Sequence, residues 1–399
     1  MDGATVRDRM LAAFRAATEA ADPFRATVAA LACERLPDRV AVVALGKASP
    51  AMARGAAHAL GGRLAGGLVV CDREEPVPEP LRLAVGSHPT PDASSLRAGR
   101  LVMEEAARTD VELVLVLVSG GGSSMAEVPR APASIGDIAE VADRLMSRGA
   151  PIEDLNTVRR HLSKTKNGGL LRVARVPVLT LLISDVAGAA ATAIASGPTL
   201  QDGSSPATAA AVLARYGIDP SPRIREALTS EADTRQTGVA HRWKTIADGE
   251  TAARAAASVL DDAPILTTDL HGEAAEAALG WIRRAPPGFA VLTGETTVTV
   301  SGDGLGGRNQ HAALAVSDAI EGTGVSFAAL GTDGRDGPTD AAGAIVDGRT
   351  AAAIRAAGVD PLRSLSRHDS HRALDAGRAL VRTGPTGTNV GDLWMVHRP

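Results

Sequence analysis

The sequence predicts an α/β protein of two domains, and three observations predict it. Apolar runs of strand length recur along the chain, most end in polar glycine-rich loops, and most are followed by a helical pattern. A larger Rossmann-like domain with a mostly parallel sheet is expected over 1–245, and a smaller mixed-sheet α/β domain over 246–399. The break falls in SEADTRQTGVAHRWKTIADG, a polar and poorly periodic stretch that reads as a domain crossing.

Taken in order, the expected strands of the first domain are VAVVAL (Val40 to Leu45), GLVVC (Gly67 to Cys71), LVLVLV (Leu113 to Val118) and VLTLLI (Val178 to Ile183). Such uninterrupted runs suit strands buried on both faces. In the second domain they are APILTT (Ala263 to Thr268), GFAVLT (Gly288 to Thr293), VSFAAL (Val325 to Leu330) and ALVRT (Ala379 to Thr383). Thr296 to Ser301, TTVTVS, alternates polar and apolar as a half-exposed strand does. Ligands of such sheets sit beyond the carboxyl ends of the strands.

The 399 residues suffice for two or three domains with a substantial core in each. A hydrophobic content of 45%, a charged content of 22% and a net charge of -4 give no reason to expect a nucleic-acid partner. With 2% aromatic residues, stacking platforms for bases are scarce. Cys33 and Cys71 belong to no metal or redox motif and read as buried free thiols. No apolar stretch reaches 18 residues and the N-terminus is a charged amphipathic pattern, so neither a membrane span nor a secretory leader is expected, and the cytoplasm is the expected compartment.

Chemistry is sought in the loops. LVLVLVSGGGSS places a buried strand before Ser119, Gly120, Gly121, Gly122, Ser123 and Ser124, whose main-chain N–H and hydroxyl donors can converge on an anion; a plain tight turn is the alternative. Lys47 follows Gly46 at another strand end. Of 42 basic residues only Lys47, Lys164, Lys166 and Lys244 are lysines, so a lysine beside glycine stands out as a compact charge suited to phosphate. NTVRRHLSKTK carries Arg159, Arg160, His161, Lys164 and Lys166 on a helical spacing, either as a solvated basic face or as the lining of an anionic site. Carboxylates at strand ends, Asp185, Glu295, Asp333, Asp336 and Asp340, are candidate ligands for magnesium, although each can equally be a cap or a turn residue. RTGPTGTNVGDL adds Thr386 and Asn389 as donors. No GxSxG elbow or other sign of a Ser/His/Asp triad occurs.

SGDGLGGRNQH, Ser301 to His311, matches GxGxxG from Gly302 to Gly307, the fingerprint of a dinucleotide-binding turn. A half-exposed rather than buried strand precedes it, and no carboxylate follows about 20 residues on, so a dinucleotide is disfavoured.

The ordered stretches ALGKA (44 to 48), SHPTPD (87 to 92), SGGGSS (119 to 124), NTVRRHLSKTK (156 to 166), SDVAG with IASGPT (184 to 199), GETTVTVSGDGLGGRNQ (294 to 310), GTDGRDGPTDAAGA (331 to 344) and TGPTGTNVGDL (383 to 393) resemble the glycerate 2-kinase family, whose C-terminal part is named for its MOFRL motif. The resemblance spans nearly the whole chain. It implies a kinase with its active site in the cleft of a two-domain α/β protein, transferring the γ-phosphoryl group of ATP to the 2-hydroxyl of D-glycerate with Mg2+. By it Lys47 and Arg308 match the catalytic cations, and His88, Arg159, Lys166, Gly304, Gly306, Gly307 and Asn309 join the nucleotide- and substrate-binding candidates. A small hydroxy acid is the expected partner, as a monomer or homodimer. The chain departs from the family pattern at Ala187 to Ala191, at Asn167, and at His311, where acidic residues, glycine and glutamate are usual; a larger acceptor or a binding protein without turnover are the alternatives.

Overall fold

A computed structural model describes residues 3–185, 191–229 and 238–399. The chain forms two compact units: one made of 1–22, 185–188 and 247–399, the other of 23–184 and 189–246. The expected single break near 245 is thus joined by an N-terminal segment that belongs with the C-terminal half. The reason lies in the helix Gly3–Ala20, whose apolar face buries Val6, Met10, Ala13, Phe14 and Ala17. Arg7 on that helix donates to the Ile345 carbonyl at 3.0 Å, and Thr388 donates to the Ala21 carbonyl at 2.6 Å.

The unit built around 23–184 holds six strands: β1 (Val40–Leu45), β2 (Leu64–Cys71), β3 (Leu81–Val85), β4 (Leu113–Val118), β5 (Val178–Ile183) and β6 (His241–Ala247), in the order β3-β2-β1-β4-β5-β6. The pairs β1/β2, β1/β4, β2/β3 and β4/β5 are parallel. Every residue of β1, β4 and β5 is buried, as their unbroken apolar runs require. The presumed crossing contains β6, an edge strand whose exposed Arg242, Trp243 and Lys244 hid it from an apolar-run reading; residues 230–237 of that stretch lie outside the described set. A separate cluster of Ile138, Leu145, Leu155, Val158, Leu162, Val212 and Leu228 binds the helices Ile135–Met146, Ile152–Leu162, Pro206–Arg215 and Pro222–Thr229 together.

The other unit holds β7 (Ile265–Leu270), β8 (Gly288–Gly294), β9 (Ser326–Gly331), β10 (Gly343–Asp347), β11 (Leu380–Val381) and β12 (Asp392–Arg398), in the order β11-β10-β9-β12-β8-β7. Only β7/β8 is parallel; the other pairs are antiparallel, so this sheet is mixed as expected. Its core is alanine-rich and closes on Phe327 and Trp394, whose rings meet edge to face at 5.4 Å. Thr296 to Ser301 is not a strand. It forms one bridge, from Thr297 to Glu273, and the Glu273 carboxylate takes the Thr299 N–H that a neighbouring strand would have bonded, together with the Thr299 hydroxyl. Cys71 is buried as expected, but Cys33, in the turn after the helix Pro23–Ala32, is exposed.

Candidate active site

Two groups of predicted residues form, one in each unit. In the first, β1 and β4 run side by side and their ends are stitched together: Ser119 N–H donates to the Leu45 carbonyl at 3.0 Å, Lys47 N–H to the Gly120 carbonyl at 2.9 Å, and Ala48 N–H to Ser119 Oγ at 3.0 Å. Gly46 takes φ +114°, and a Cβ there would lie 2.4 Å from the Ser119 carbonyl, so only glycine permits this approach. Gly121 lies at φ +83°, its missing Cβ 3.2 Å from Lys47 Cγ and 3.3 Å from His88 Cδ2, which puts the lysine stem and the imidazole over the glycines.

Ser119 is thereby spent on Ala48 and Ser124 on the Gly121 carbonyl, while Ser123 shares a 2.9 Å bond with Ser196, which in turn donates to Asn156 Oδ1 at 2.9 Å. Ser196 and its neighbour Ala195 sit at φ +60° and +49°, a strained conformation for side-chain-bearing residues, so the loop under Ser123 is held at a conformational cost. Nothing local in the sequence marks Asn156 or Ser196; only their meeting in space does. The helix Gly122–Met125 is a single turn, so the loop's capacity for an anion rests on the partly exposed main chain of Gly120, Gly121 and Ser123 rather than on a helix dipole.

The cations of this group divide. Lys47 is exposed and Arg159 half-buried, and neither has an ion-pair partner among the described residues. Burial pulls the Arg159 guanidinium below its usual pKa, against the charges of Glu127 and Asp143. His88 is also held low, by partial burial and then by the Lys47 charge, against Asp72, so it is neutral at neutral pH. Lys166 is a different case. It is fully buried and paired with Glu127, with Ser163 Oγ at 3.5 Å, and it presents nothing to a ligand; burial pulls its ammonium down while Glu127 opposes. Its place among the binding candidates is corrected to a structural ion pair. Arg160 and His161 are likewise consumed inside, by Asp202 and the Thr192 carbonyl and by Ser204.

The second group is built on the ends of β8 and β12 and on the helix Arg308–Ala319. Asp336 accepts from Asn309 N–H at 3.0 Å and Gln310 N–H at 2.8 Å, placing a carboxylate on the helix N-terminus. Burial pushes its carboxyl up to about 6 against those hydrogen bonds. A Cβ on Gly307 would fall 2.4 Å from that carboxylate. The other glycines of the loop have similar reasons: Cβ atoms at Gly302, Gly304 and Gly306 would lie 2.3 Å from the Arg367 carbonyl, 2.5 Å from Asp369 N and 2.1 Å from Ser370 Oγ. The backbone bared at Gly302, Gly304, Gly306 and Gly307 therefore packs against this protein's own chain, which corrects the assignment of Gly304, Gly306 and Gly307 as ligand cradles.

Arg308 emerges from that helix start with its guanidinium flanked on two sides. Asp392 takes its Nε at 2.6 Å and its Nη2 at 3.1 Å, a bidentate pair, and Glu295 takes Nη1 at 2.5 Å. Asn309 completes the cluster, donating to Asp392 at 2.8 Å and accepting from Trp394 Nε1 at 2.8 Å. Burial opposes the Arg308 charge, but Asp392 and Glu295 outweigh it and its pKa lies above the ordinary value. Asp392 is wholly buried at the first residue of β12, where it pairs in register with Gly294 and Gly331. In the sequence RTGPTGTNVGDL stands out for its hydroxyl and amide donors, and Asp392 near its end does not; an acidic residue opening an apolar strand is the available signal.

The remaining carboxylates do not gather. Asp340 is exposed and paired with Arg382 at 2.8 Å and His371 at 3.4 Å, and Asp333 Oδ1 caps Arg335 N–H at 2.9 Å. Thr386 donates to the Thr332 carbonyl and Asn389 accepts from Gly391 N–H at 3.2 Å, so both serve the loop. Burial raises the pKa of the Glu295 carboxyl against the Arg308 charge, and the charges of Asp392 and then of nearby Asp185 add to the rise. Ala187 to Ala190 lie outside the described residues. Among the described residues no three side chains of metal-ligating type surround one point, so the expected five-carboxylate magnesium set is not assembled: Asp336 is committed to the helix and Asp340 to Arg382.

One unit with a parallel sheet whose strand ends carry a lysine and a glycine-serine loop, and a second with a mixed sheet and an oriented arginine, define an α/β protein equipped for small anions. Sequence models of a domain of unknown function and of the MOFRL family match residues 9–229 and 288–392. A D-glycerate 2-kinase from Thermotoga maritima is 40% identical over 89% of this chain and 90% of its own, and an Agrobacterium vitis protein provisionally named hydroxypyruvate reductase is 39% identical over 95% and 92%. A crystal structure of a Thermotoga maritima glycerate kinase superposes with a TM-score of 0.91 at 37% identity, covering 99% of this chain and all of that one. The chain belongs to the glycerate 2-kinase family.

Proposed function

We propose that this protein is a D-glycerate 2-kinase, taking ATP as phosphoryl donor and giving 2-phosphoglycerate and ADP. The observation that carries the reading is Lys47: an exposed ammonium after the end of β1, without an ion-pair partner among the described residues and held over the bare main chain of Gly121. The bond between the γ-phosphorus and its bridging oxygen breaks, the bond to the glycerate 2-oxygen forms, and the hydroxyl proton passes to solvent. Lys47 and Arg308 neutralise charge on the transferring group, Arg159 and the N–H groups of Gly120, Gly121 and Ser123 hold anionic oxygens, and His88 stays neutral beside Lys47. In such transfers, positioning and charge neutralisation supply most of the rate.

Mg2+ bound with the nucleotide would supply further neutralisation. A hard cation that keeps water and phosphate oxygens needs only one or two carboxylates, and Asp185 is the one we assign. We assign the enzyme to the cytoplasm from its sequence alone, and a monomer or homodimer is the assembly to test by light scattering; among the described residues no helix is long and apolar enough to cross a membrane.

The reductase name of the Agrobacterium vitis relative suggests nicotinamide chemistry instead. Against it, the GxGxxG stretch follows no strand and its glycines are packed on residues 367–370 and Asp336. The test is a pair of assays: phosphorus NMR of the product from ATP and D-glycerate, and NADH oxidation with hydroxypyruvate. A phosphoryl group on O2 with no NADH turnover supports the kinase; the reverse pattern sinks it.

A further inference from the structure

Arg308 as it stands is a poor anion receptor. One cation meets two carboxylates, Asp392 and Glu295, so the immediate cluster carries a net negative charge that repels an incoming oxyanion. The two carboxylates are not equivalent. Asp392 has no exposed surface and accepts from Arg308 Nε, Arg308 Nη2 and Asn309 Nδ2, so it cannot leave without stranding three donors. The Glu295 side chain keeps 49% of its surface in solvent and, among the described residues, accepts one hydrogen bond, from Arg308 Nη1. It also sits on the irregular segment after β8, and its outward swing strands nothing that water cannot satisfy.

We propose that Glu295 is an internal oxyanion that occupies the outer edge of Arg308 in the ligand-free chain and is displaced by the substrate's oxyanion, while Asp392 stays and fixes the guanidinium plane. The exchange keeps the local charge nearly constant, so the guanidinium is neither stripped of a counterion before binding nor left with three afterwards. The incoming group is a carboxylate or a phosphoryl group, both of which match the paired N–H edge of arginine. The proposal rests on the reading that the Arg308 cluster takes an oxyanion; it does not depend on which acceptor is phosphorylated.

The test titrates the full chain with D-glycerate and with inorganic phosphate separately, by calorimetry, for the wild type, Glu295→Gln, Glu295→Ala and Asp392→Asn. With the competitor neutralised, Glu295→Gln binds one of the two anions about two- to five-fold tighter, the worth of one partly exposed ion pair, and Glu295→Ala does the same. Where that anion is D-glycerate its KM falls in step, and in neither case does kcat rise. Asp392→Asn binds the same anion more weakly, and the anion affected tells carboxylate from phosphoryl. Unchanged or weaker binding of both anions in folded Glu295→Gln and Glu295→Ala, or a loss of kcat with binding unchanged, overturns the proposal. A wild-type chain that binds phosphate but never phosphorylates glycerate defeats the kinase reading alone, because the phosphate titrations still decide the role of Glu295.

Discussion

The two cation groups handle the same charge in opposite ways. Among the described residues Lys47, beside the glycine-serine main chain, and Arg159 stand without ion-pair partners, whereas Arg308 is gripped by Asp392 and faced by Glu295. The difference follows from the side chains. An ammonium is a point charge that acts wherever it is left uncompensated, while a guanidinium recognises through its plane, which must be held. Holding it costs net attraction, and that cost is the origin of the Glu295 exchange.

The largest effect should come from a cation that belongs to neither mode. Lys166→Met leaves Glu127 charged, buried and unpaired, and should cost about 3–5 kcal/mol of stability in denaturant melts. The double variant Lys166→Met with Glu127→Leu should recover most of it with activity retained. If Lys166→Met instead keeps its stability and loses turnover, Lys166 rejoins Lys47 as a working cation and the comparison breaks. Next in size, Lys47→Ala and Arg308→Ala should each lower kcat by about 10²–10³, as loss of one charge-stabilising group does; full activity in either removes that residue from the mechanism. Arg308→Lys sharpens the contrast, because restored charge without the bidentate plane should rescue little of kcat.

Smaller still, Gly304→Ala and Gly306→Ala should destabilise by about 1–3 kcal/mol through overpacking against 367–370, without changing nucleotide affinity at temperatures where the chain is folded. A loss of affinity greater than the loss of stability would return these glycines to the binding site. The smallest effect is a slope with pH. His161, His241, His311 and His397 are all held below their usual pKa, by burial first. At these four imidazoles the unfolded chain binds more protons than the folded one below about 6.5, so their contribution to stability is full above that pH and declines as the pH falls through it, opposed by Asp336, whose carboxyl is pushed up to about 6 by burial. His311→Gln, which removes the imidazole stacked 4.9 Å from His368, should flatten part of that slope in melts between pH 7 and 5.

Legibility varied with how much of an element's role is written locally. β1, β4 and β5 match their apolar runs because both faces are buried and nearly every position must be apolar. β12 went unseen although it pairs with β8 on one side and β9 on the other, because DLWMVHR carries charge at both ends. Its first residue is Asp392, whose use depends on Arg308, 84 positions earlier, and no local pattern encodes that distance. The same limit explains Lys166. In the sequence it is one cation of a basic run, and only Glu127, 39 residues away and buried beside it, makes it structural.

By itself the amino-acid order determined the fold class, the strands that lie inside it, the loops at their ends and the family, since these follow from local periodicity and ordered motifs. The tertiary structure alone decided which charges are spent within the protein and which are left for a ligand. A charge acts through the field of its neighbours, and here those neighbours, Glu127 for Lys166, Asp392 for Arg308 and Asp336 for the helix of Asn309, are brought close only by folding.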